Sequence, residues 1–183
     1  MHRRRVPLLA GMLAALMAAA GAVRARAEVA SDVAVKAAFL YNFAKFTQWP
    51  ALPAAAPLVL CVLGDDAVGT ALTDTVRGQQ IDGHGLEVRR LASGASAQSC
   101  HVLFVAGSDV RRAAPTLDDV RELPILTVSD GSGFAQTSGM IELFVEAGHM
   151  RFAVNIDSVQ RSRLHLSSRL LALARILGSP RAQ

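Results

Sequence analysis

The chain has 183 residues, with 19 basic and 15 acidic side chains and a formal net charge of +4. Five of the basic residues lie within positions 1–27, so the remainder holds 14 basic and 15 acidic residues and a net charge of −1. The positive charge therefore belongs largely to the amino-terminal segment and gives no support for nucleic-acid binding. About 156 residues remain, which is enough for one compact domain with a hydrophobic core.

The amino-terminal segment has the order of a secretory signal peptide. A basic start, MHRRR, precedes an apolar run from Val6 to Val23, and the small-x-small sequence ARA follows at Ala25–Ala27. We predict a cleaved signal peptide over residues 1–27 and one exported domain over residues 28–183. An uncleaved anchor and a cleavage site at the earlier AGA stay open, because 18 apolar residues approach the length of a membrane span.

The first predicted helix runs from Asp32 to Thr47 within an aromatic-rich segment, VKAAFLYNFAKFTQWP. This segment holds five of the nine aromatic residues of the chain. Four of its apolar residues recur at i, i+4, i+8 and i+11, which predicts one buried face. These residues are Val35, Phe39, Phe43 and Phe46.

Three residues of the same segment lie off that apolar stripe. Tyr41 and Lys45 project from the other side of the helix, and Trp49 stands where Pro50 ends it. Aromatic side chains and long cations are typical interface anchors, so these three are candidates for contact with a partner protein. The alternative is that they pack on the linker ALPAAAP.

Alternating strands and helices are predicted along the middle of the chain. Asp65 or Asp66 is expected to cap a helix that ends near Val76, after the buried strand PLVLCVLG. The turn-rich sequence RGQQIDGHG leads to the strand LEVRRL, and CHVLFVAG predicts another buried strand. A helix over Ser108–Arg121, broken at Pro115, is expected next, then the strand PILTVSD and the glycine-rich loop DGSGF.

Cys61 and Cys100 are the only two cysteines, and both belong to the exported part. An even number of cysteines in an oxidising compartment favours a disulfide, and two buried free thiols are the alternative. Closing a loop of roughly 40 residues would stabilise the domain by about 4 kcal/mol.

A hairpin is predicted from MIELFVEAGHMRFAVNI, with its turn at Ala147–Gly148. Glu146 and Arg151 flank this turn and are two further candidates for partner contact. Two short helices should follow, one capped by Asp157 and one capped by Ser167 or Ser168 and continuing through RLLALARIL. We therefore predict a single α/β domain, a Rossmann-like three-layer sandwich whose mixed, mostly parallel sheet carries helices on both faces.

No sequence motif for catalysis or cofactor binding passes a strict test. GDDAVG lacks both the dinucleotide fingerprint and the Walker ending, and no serine lies in G-x-S-x-G. Four histidines remain after the signal segment, without metal-ligand spacing: His84, His101, His149 and His165. We therefore expect a protein without enzymatic activity, metal or cofactor.

Open α/β sheets bind ligands at the carboxyl ends of their strands, which supplies a second hypothesis. Such a small-ligand module would feed a sensor kinase or a transport system. Its candidate residues follow the first buried strand and the strand PILTVSD: Gly64, Asp65, Gly131, Ser132 and Gly133.

The segment VKAAFLYNFAKFTQWP resembles the amino-terminal signature of the YfiR family of periplasmic proteins. The resemblance continues through CVLGDD, CHVLFVAGSD and ILTVSDGSGFAQTSGMIELFVEAGHMRFAVNID, where Phe152 and Asn155 match an F-x-x-N motif. LHLSSRLLALARIL resembles the family's closing helix. The resemblance implies a periplasmic α/β protein, often a homodimer, without catalytic activity.

The resemblance also implies a regulatory role. In the best-understood branch, the protein binds the periplasmic sensor domain of an inner-membrane diguanylate cyclase and keeps the enzyme off. An outer-membrane lipoprotein with a peptidoglycan-binding domain can sequester the repressor, which couples envelope stress to cyclic-di-GMP and biofilm formation. Two departures stand out: GFAQTSGMIELF lacks that branch's second cysteine pair, and Ser162-Arg163 replaces a common Ala-Gly.

Overall fold

The computed structural model describes residues 32–50, 52–53, 56–137 and 139–178. The predicted signal peptide lies outside these residues. None of the helices in the described part is long and apolar enough to cross a membrane. The helices are α1 (32–45), α2 (Asp66–Val76), α3 (Ala114–Asp119), α4 (Phe134–Thr137), α5 (Ile156–Arg161) and α6 (Ser168–Leu171). The strands are β1 (Thr47–Gln48), β2 (Leu58–Leu63), β3 (Gln80–Ile81), β4 (His84–Leu91), β5 (Val102–Val105), β6 (Leu126–Ser129), β7 (Ile141–Glu146), β8 (His149–Asn155), β9 (His165–Leu166) and β10 (Arg175–Leu177).

Eight strands form one mixed sheet in the order β10-β8-β7-β6-β5-β2-β4-β3. The five neighbours β4, β2, β5, β6 and β7 run parallel to one another. At the two sides, β3 pairs antiparallel with β4 and β8 pairs antiparallel with β7, while β10 runs parallel to β8. The predicted α/β class with a mixed, mostly parallel sheet is therefore confirmed. β1 and β9 form a separate antiparallel pair.

The central strand β2 explains why helices cover both faces of the sheet. All six of its residues are buried, as the continuous apolar run predicts. Leu60 and Val62 pack in the cluster that holds α1 and α2, whereas Cys61 and Leu63 pack in the cluster that holds α3. Because successive side chains of a strand point to opposite faces, one apolar run supplies both layers of the core.

Helix α1 buries a face that differs from the predicted one at Val35. Leu40 and Phe43 are fully buried, and Phe39 packs against Phe152 with ring centroids 5.8 Å apart. Val35 is 36 % exposed, because it lies about 140° around the helix from Leu40. Residue 45 ends the helix, and Thr47 belongs to β1 instead.

The segment predicted as one helix over Ser108–Arg121 is divided in the structure. A short 3-10 helix covers Gly107–Asp109, and α3 begins separately at Ala114. Pro115 lies in the first turn of α3, where its missing N–H costs no hydrogen bond. This proline therefore starts a helix and does not break one.

The carboxyl-terminal prediction is wrong in two places. Asn155, and not Asp157, caps α5 by accepting the N–H of Ser158 at 3.0 Å. Ser167 caps α6 as one of the two predicted caps, but this helix ends after a single turn. The sequence RIL then forms β10 beside β8, because pairing with that sheet edge outweighs a weak helical propensity.

Two predictions from the sequence are confirmed in full. Asp65 caps α2, and its side chain accepts the N–H of Val68 at 3.0 Å. Cys61 and Cys100 form a disulfide that joins β2 to the segment before β5.

Candidate functional site

The five candidate partner-contact residues fall into two groups at opposite ends of the parallel strands. Tyr41, Lys45 and Trp49 lie on or just after the last turn of α1, and Trp49 packs on the segment that precedes β5. Glu146 and Arg151 lie in the β7–β8 hairpin, past the carboxyl end of β6. Since β5, β6 and β7 run parallel, the first group marks their amino ends and the second their carboxyl ends.

The second group belongs to a projecting hairpin, the arm, which comprises residues 143–152. Pairing of β6 with β7 ends at Ser129 and Glu142, and β10 pairs with β8 only from Ala153 to Asn155. Between these limits the two strands of the arm are paired only with each other among the described strands. The arm therefore stands out from the sheet as a two-stranded ribbon.

The turn of the arm is built for a tight reversal, as predicted. Ala147 and Gly148 both have positive φ, 50° and 76°. Two-residue hairpin turns with this feature match the right-handed twist of the strands they join. The arm thus keeps a defined register, in which Glu146 lies opposite His149 and Val145 lies opposite Met150.

The two faces of the arm differ in chemistry. One face carries both candidate charges: Glu146 pairs with Arg175 at 2.5 Å, and the Arg175 guanidinium lies 4.6 Å from the ring centre of Phe144. Arg151 lies opposite Phe144 on that face and is exposed. On the other face Val145 is 64 % exposed.

The first group is less exposed than the sequence implied. Tyr41 and Trp49 are half-buried and pack against the main core cluster, whereas Lys45 is exposed. The Trp49 ring meets the His101 ring edge to face, with centroids 5.9 Å apart. Within the described residues, its Nε1 is buried and has no hydrogen-bond partner.

Two cavities flank Trp49 at the amino ends of the parallel strands. One, of about 180 Å³, is bounded by Gln48, Leu58 and His84. The other, of about 260 Å³, is bounded by Cys100, His101 and Pro124 among others. The indole forms part of the wall of both cavities.

The candidate ligand-binding residues lie past the carboxyl ends of β2 and β6. Gly64 has a φ of 86°, and a Cβ there would lie 2.5 Å from a carboxylate oxygen of Asp109. Asp65 already serves as the cap of α2. Gly107 and Gly131 approach so closely that a Cβ on Gly107 would lie 2.8 Å from the Gly131 Cα. The protein's own backbone and carboxylates therefore occupy much of the space at these carboxyl ends.

A partly buried ion pair lies at the carboxyl ends of the same strands. Lys36 Nζ lies 2.8 Å from Asp32 and 2.7 Å from Asp130, whose other oxygen accepts the N–H of Gly107 at 2.6 Å. Burial lowers the pKa of Lys36, but the hydrogen bonds and charges of Asp130 and Asp32 outweigh burial and leave that pKa raised. The ammonium group thus fixes α1 to the loop after β6.

The glycine-rich loop is held by a buried carboxylate. Glu142 is 9 % exposed, and its two oxygens accept the N–H groups of Gly133 and Ala135 at 3.2 Å and 3.1 Å. Asn155 donates to the carbonyl of Ala135 at 2.8 Å. Ser132 is exposed in the same loop. Hydrogen bonds therefore brace the loop that lacks a second cysteine pair.

The Ser162-Arg163 departure also has a structural account. Ser162 is fully buried, and its hydroxyl donates to the carbonyl of Arg121 at 2.9 Å. Arg163 has a φ of 57°, in the left-handed region where glycine is the favoured residue. The chain thus keeps at Arg163 a backbone shape that suits the glycine common at this position.

Lys36, Glu142 and Asp130 were not among the site residues predicted from the sequence. A glutamate at an inward position of an otherwise apolar strand, as in MIELFVE, is a signal that could have identified Glu142. The Lys36–Asp130 contact joins residues far apart in sequence and leaves no local pattern. Within the described residues, no three His, Cys, Asp or Glu side chains gather in a way that could hold a metal ion.

The described residues form a disulfide-bonded sheet with a projecting arm. A comparison with protein-family models matches residues 33–175, most of the chain, to the family described as YfiR/HmsC-like. The match includes α1, the disulfide, the arm and the start of β10. This protein is therefore a member of the YfiR/HmsC-like family.

Proposed function

We propose that this protein is a non-enzymatic periplasmic repressor that binds the periplasmic sensor domain of an inner-membrane diguanylate cyclase. Membership of a family of periplasmic regulators of these enzymes supports the proposal. The disulfide supports export to an oxidising compartment, where such bonds persist. The cleaved signal peptide, a homodimeric state and capture by an outer-membrane lipoprotein belong to the same proposal.

The arm is the surface that best fits partner contact, and its exposed Val145 carries this assignment. When a partner covers the exposed aliphatic side chain of Val145, the burial of its apolar surface stabilises the complex. Glu146 and Arg151, on the other face, provide charges that select and orient the partner. A repressor acts by binding one conformation of its target more tightly than the other. A rigid arm on a fixed sheet suits this discrimination.

The test measures binding to the isolated periplasmic domain of a membrane diguanylate cyclase encoded in the same genome. Calorimetry should show saturable binding, and Val145→Glu should weaken it by about tenfold or more. Leu173→Glu is the matched control, because Leu173 is also exposed, at 72 %, but lies outside the arm. Both variants should keep the melting temperature of the parent protein.

Two results would contradict different parts of the proposal. If the parent protein binds none of the periplasmic domains of such enzymes, the repressor function is wrong. If it binds but Val145→Glu binds equally well, only the assignment to the arm is wrong.

The small-ligand hypothesis, with its link to a sensor kinase or a transport system, stays a prediction. Its residues lie where Asp109 and the Lys36–Asp130 pair already occupy space. A thermal-shift screen against amino acids and nucleotides tests it. A large, saturable rise in melting temperature would support the hypothesis, since a ligand stabilises the state that it binds.

A further inference from the structure

His101 connects three strands at their amino ends. Its backbone N–H donates to Val59 of β2 at 2.8 Å, and its carbonyl accepts the N–H of Leu126 of β6 at 2.8 Å. Its ring returns to β2, where Nδ1 accepts the Val59 N–H at 3.0 Å. The imidazole nitrogen therefore accepts the Val59 N–H at the start of β2, as a carbonyl of a neighbouring strand would.

The bond to Val59 requires a neutral imidazole. A backbone N–H can only donate, so Nδ1 of His101 carries no proton and the ring proton is on Nε2. Protonation would place an N–H on Nδ1, directed at another N–H. Two donors cannot bond to each other, so the ring would have to turn away from Val59.

His84 provides a contrast within the same region. Its Nδ1 lies 2.8 Å from the carbonyl oxygen of Ala56, which can only accept, so this nitrogen carries the proton. A protonated His84 keeps that proton and that bond. Of these two imidazoles, only His101 therefore makes a hydrogen bond that protonation breaks.

Trp49 depends on the position of the His101 ring. The indole packs edge to face on this ring, and its buried Nε1 has no hydrogen-bond partner among the described residues. An unpartnered buried N–H regains hydrogen bonds when water reaches it. Loss of the His101 contact would therefore remove one of the packing contacts that hold the indole, which also packs against the main core cluster.

The groups around His101 set the conditions for its protonation. Burial lowers the pKa of His101 from its ordinary value of 6.5, and the charge of His84 on β4 lowers it further. Asp82, in the turn before β4, is exposed and lies on the His84 side of Trp49. The cavity on the other side is bounded by Gln98 and Ser99 before β5 and by 123–125 before β6, without a charged side chain.

We propose that His101, while neutral, holds Trp49 against the amino ends of the parallel strands and releases it on protonation. We call this histidine the latch. When the ring gains a proton on Nδ1, the bond to Val59 is lost, the imidazole turns and the indole moves into solvent. An exported protein meets the pH of the medium more directly than a cytosolic one. The latch would make the surface around Trp49 respond to acid, independently of the arm and of the identity of any partner.

Tryptophan fluorescence gives a direct test, because Trp49 is the only tryptophan in the chain. Its emission should shift to the red as the pH falls from roughly 8 to roughly 4, with a midpoint below the 6.5 of a free histidine. The far-UV circular dichroism should stay constant across the shift. Hydrogen exchange at the Val59 amide should be slow above the midpoint and faster below it.

Matched variants assign the transition to one ring. His101→Asn places an amide oxygen near the position of Nδ1, which accepts the Val59 N–H without titrating, so the red shift should disappear. His84→Asn should keep the shift and raise its midpoint, because one positive charge near His101 is removed. His149→Asn, in the exposed turn of the arm, should change nothing.

Three outcomes would overturn the proposal. The parent emission could stay constant over this pH range, the red shift could persist in His101→Asn, or it could coincide with loss of circular dichroism. The last outcome would identify acid unfolding instead of a local latch. None of these measurements uses a partner protein, so their failure is separate from failure of the proposed repressor function.

Discussion

Replacement of Glu142 by alanine should destabilise this protein more than replacement of any other charged residue of β7 and β8. The carboxylate is 9 % exposed and accepts two backbone N–H groups, from Gly133 and Ala135. A hydrogen bond to a charged acceptor contributes about 1.5 kcal/mol or more, so the loss should be about 3 kcal/mol. Glu142→Gln keeps one acceptor but turns an NH₂ group toward an N–H, so its cost should be about 2 kcal/mol.

Urea unfolding under non-reducing conditions, followed by Trp49 emission and circular dichroism, measures these differences. Glu146→Ala is the matched control, because Glu146 lies on the same strand and face but is 54 % exposed in its pair with Arg175. An exposed ion pair contributes at most about 1 kcal/mol. The Glu142→Ala melting temperature should fall by roughly 6–12 °C. Equal unfolding free energies for Glu142→Ala and Glu146→Ala would show that the carboxylate does not brace the loop.

Three further predictions concern stability. Replacing both Cys61 and Cys100 by alanine should lower the unfolding free energy by about 4 kcal/mol. Mass spectrometry of the parent protein should show one internal disulfide, and two free thiols would contradict the prediction. Arg163→Gly should raise the free energy of unfolding by about 1 kcal/mol, because glycine adopts the left-handed φ at this position without strain. The control Arg161→Gly, in α5, should lower the free energy of unfolding. A higher melting temperature for Arg161→Gly than for Arg163→Gly would refute this explanation. The pKa of His101 is lowered on folding, so its contribution to the unfolding free energy should be complete above pH 6.5 and lost as the pH falls. The unfolding free energy of His101→Asn should therefore depend less on pH. An unchanged pH dependence in this variant would contradict the prediction.

Local signals predicted the elements whose causes are local. The run PLVLCVLG, followed by Asp65, specifies a buried strand and a capped helix, and the structure has both. Ala147–Gly148 between two alternating runs likewise specifies the hairpin and its register. The two cysteines required only an argument from compartment and number. For the strand, the cap and the hairpin, the residues that determine the structure are neighbours in sequence. For the disulfide, they are the only two cysteines.

Non-local pairing explains what sequence reasoning missed. Arg175–Leu177 reads as helix in isolation, and only the vacant edge of β8 makes it a strand. Lys36 resembles a surface lysine until α1 brings it to Asp130. Val35 continues an apolar stripe, yet α1 is rotated so that Leu40 faces the sheet. The partner candidates were chosen as residues that do not face the core, and the fold divides them between the two ends of the parallel strands.

The location of the single disulfide limits where redox chemistry can act on this protein. Cys100 bounds the cavity beside Trp49 and directly precedes His101, so reduction would loosen the same amino ends of the parallel strands where the latch acts. The carboxyl ends of these strands have no cysteine, and Glu142 and Asn155 hold the glycine-rich loop there by hydrogen bonds. Reduction of the disulfide and protonation of His101 would therefore both act at the amino ends around Trp49, whereas the arm contains neither group.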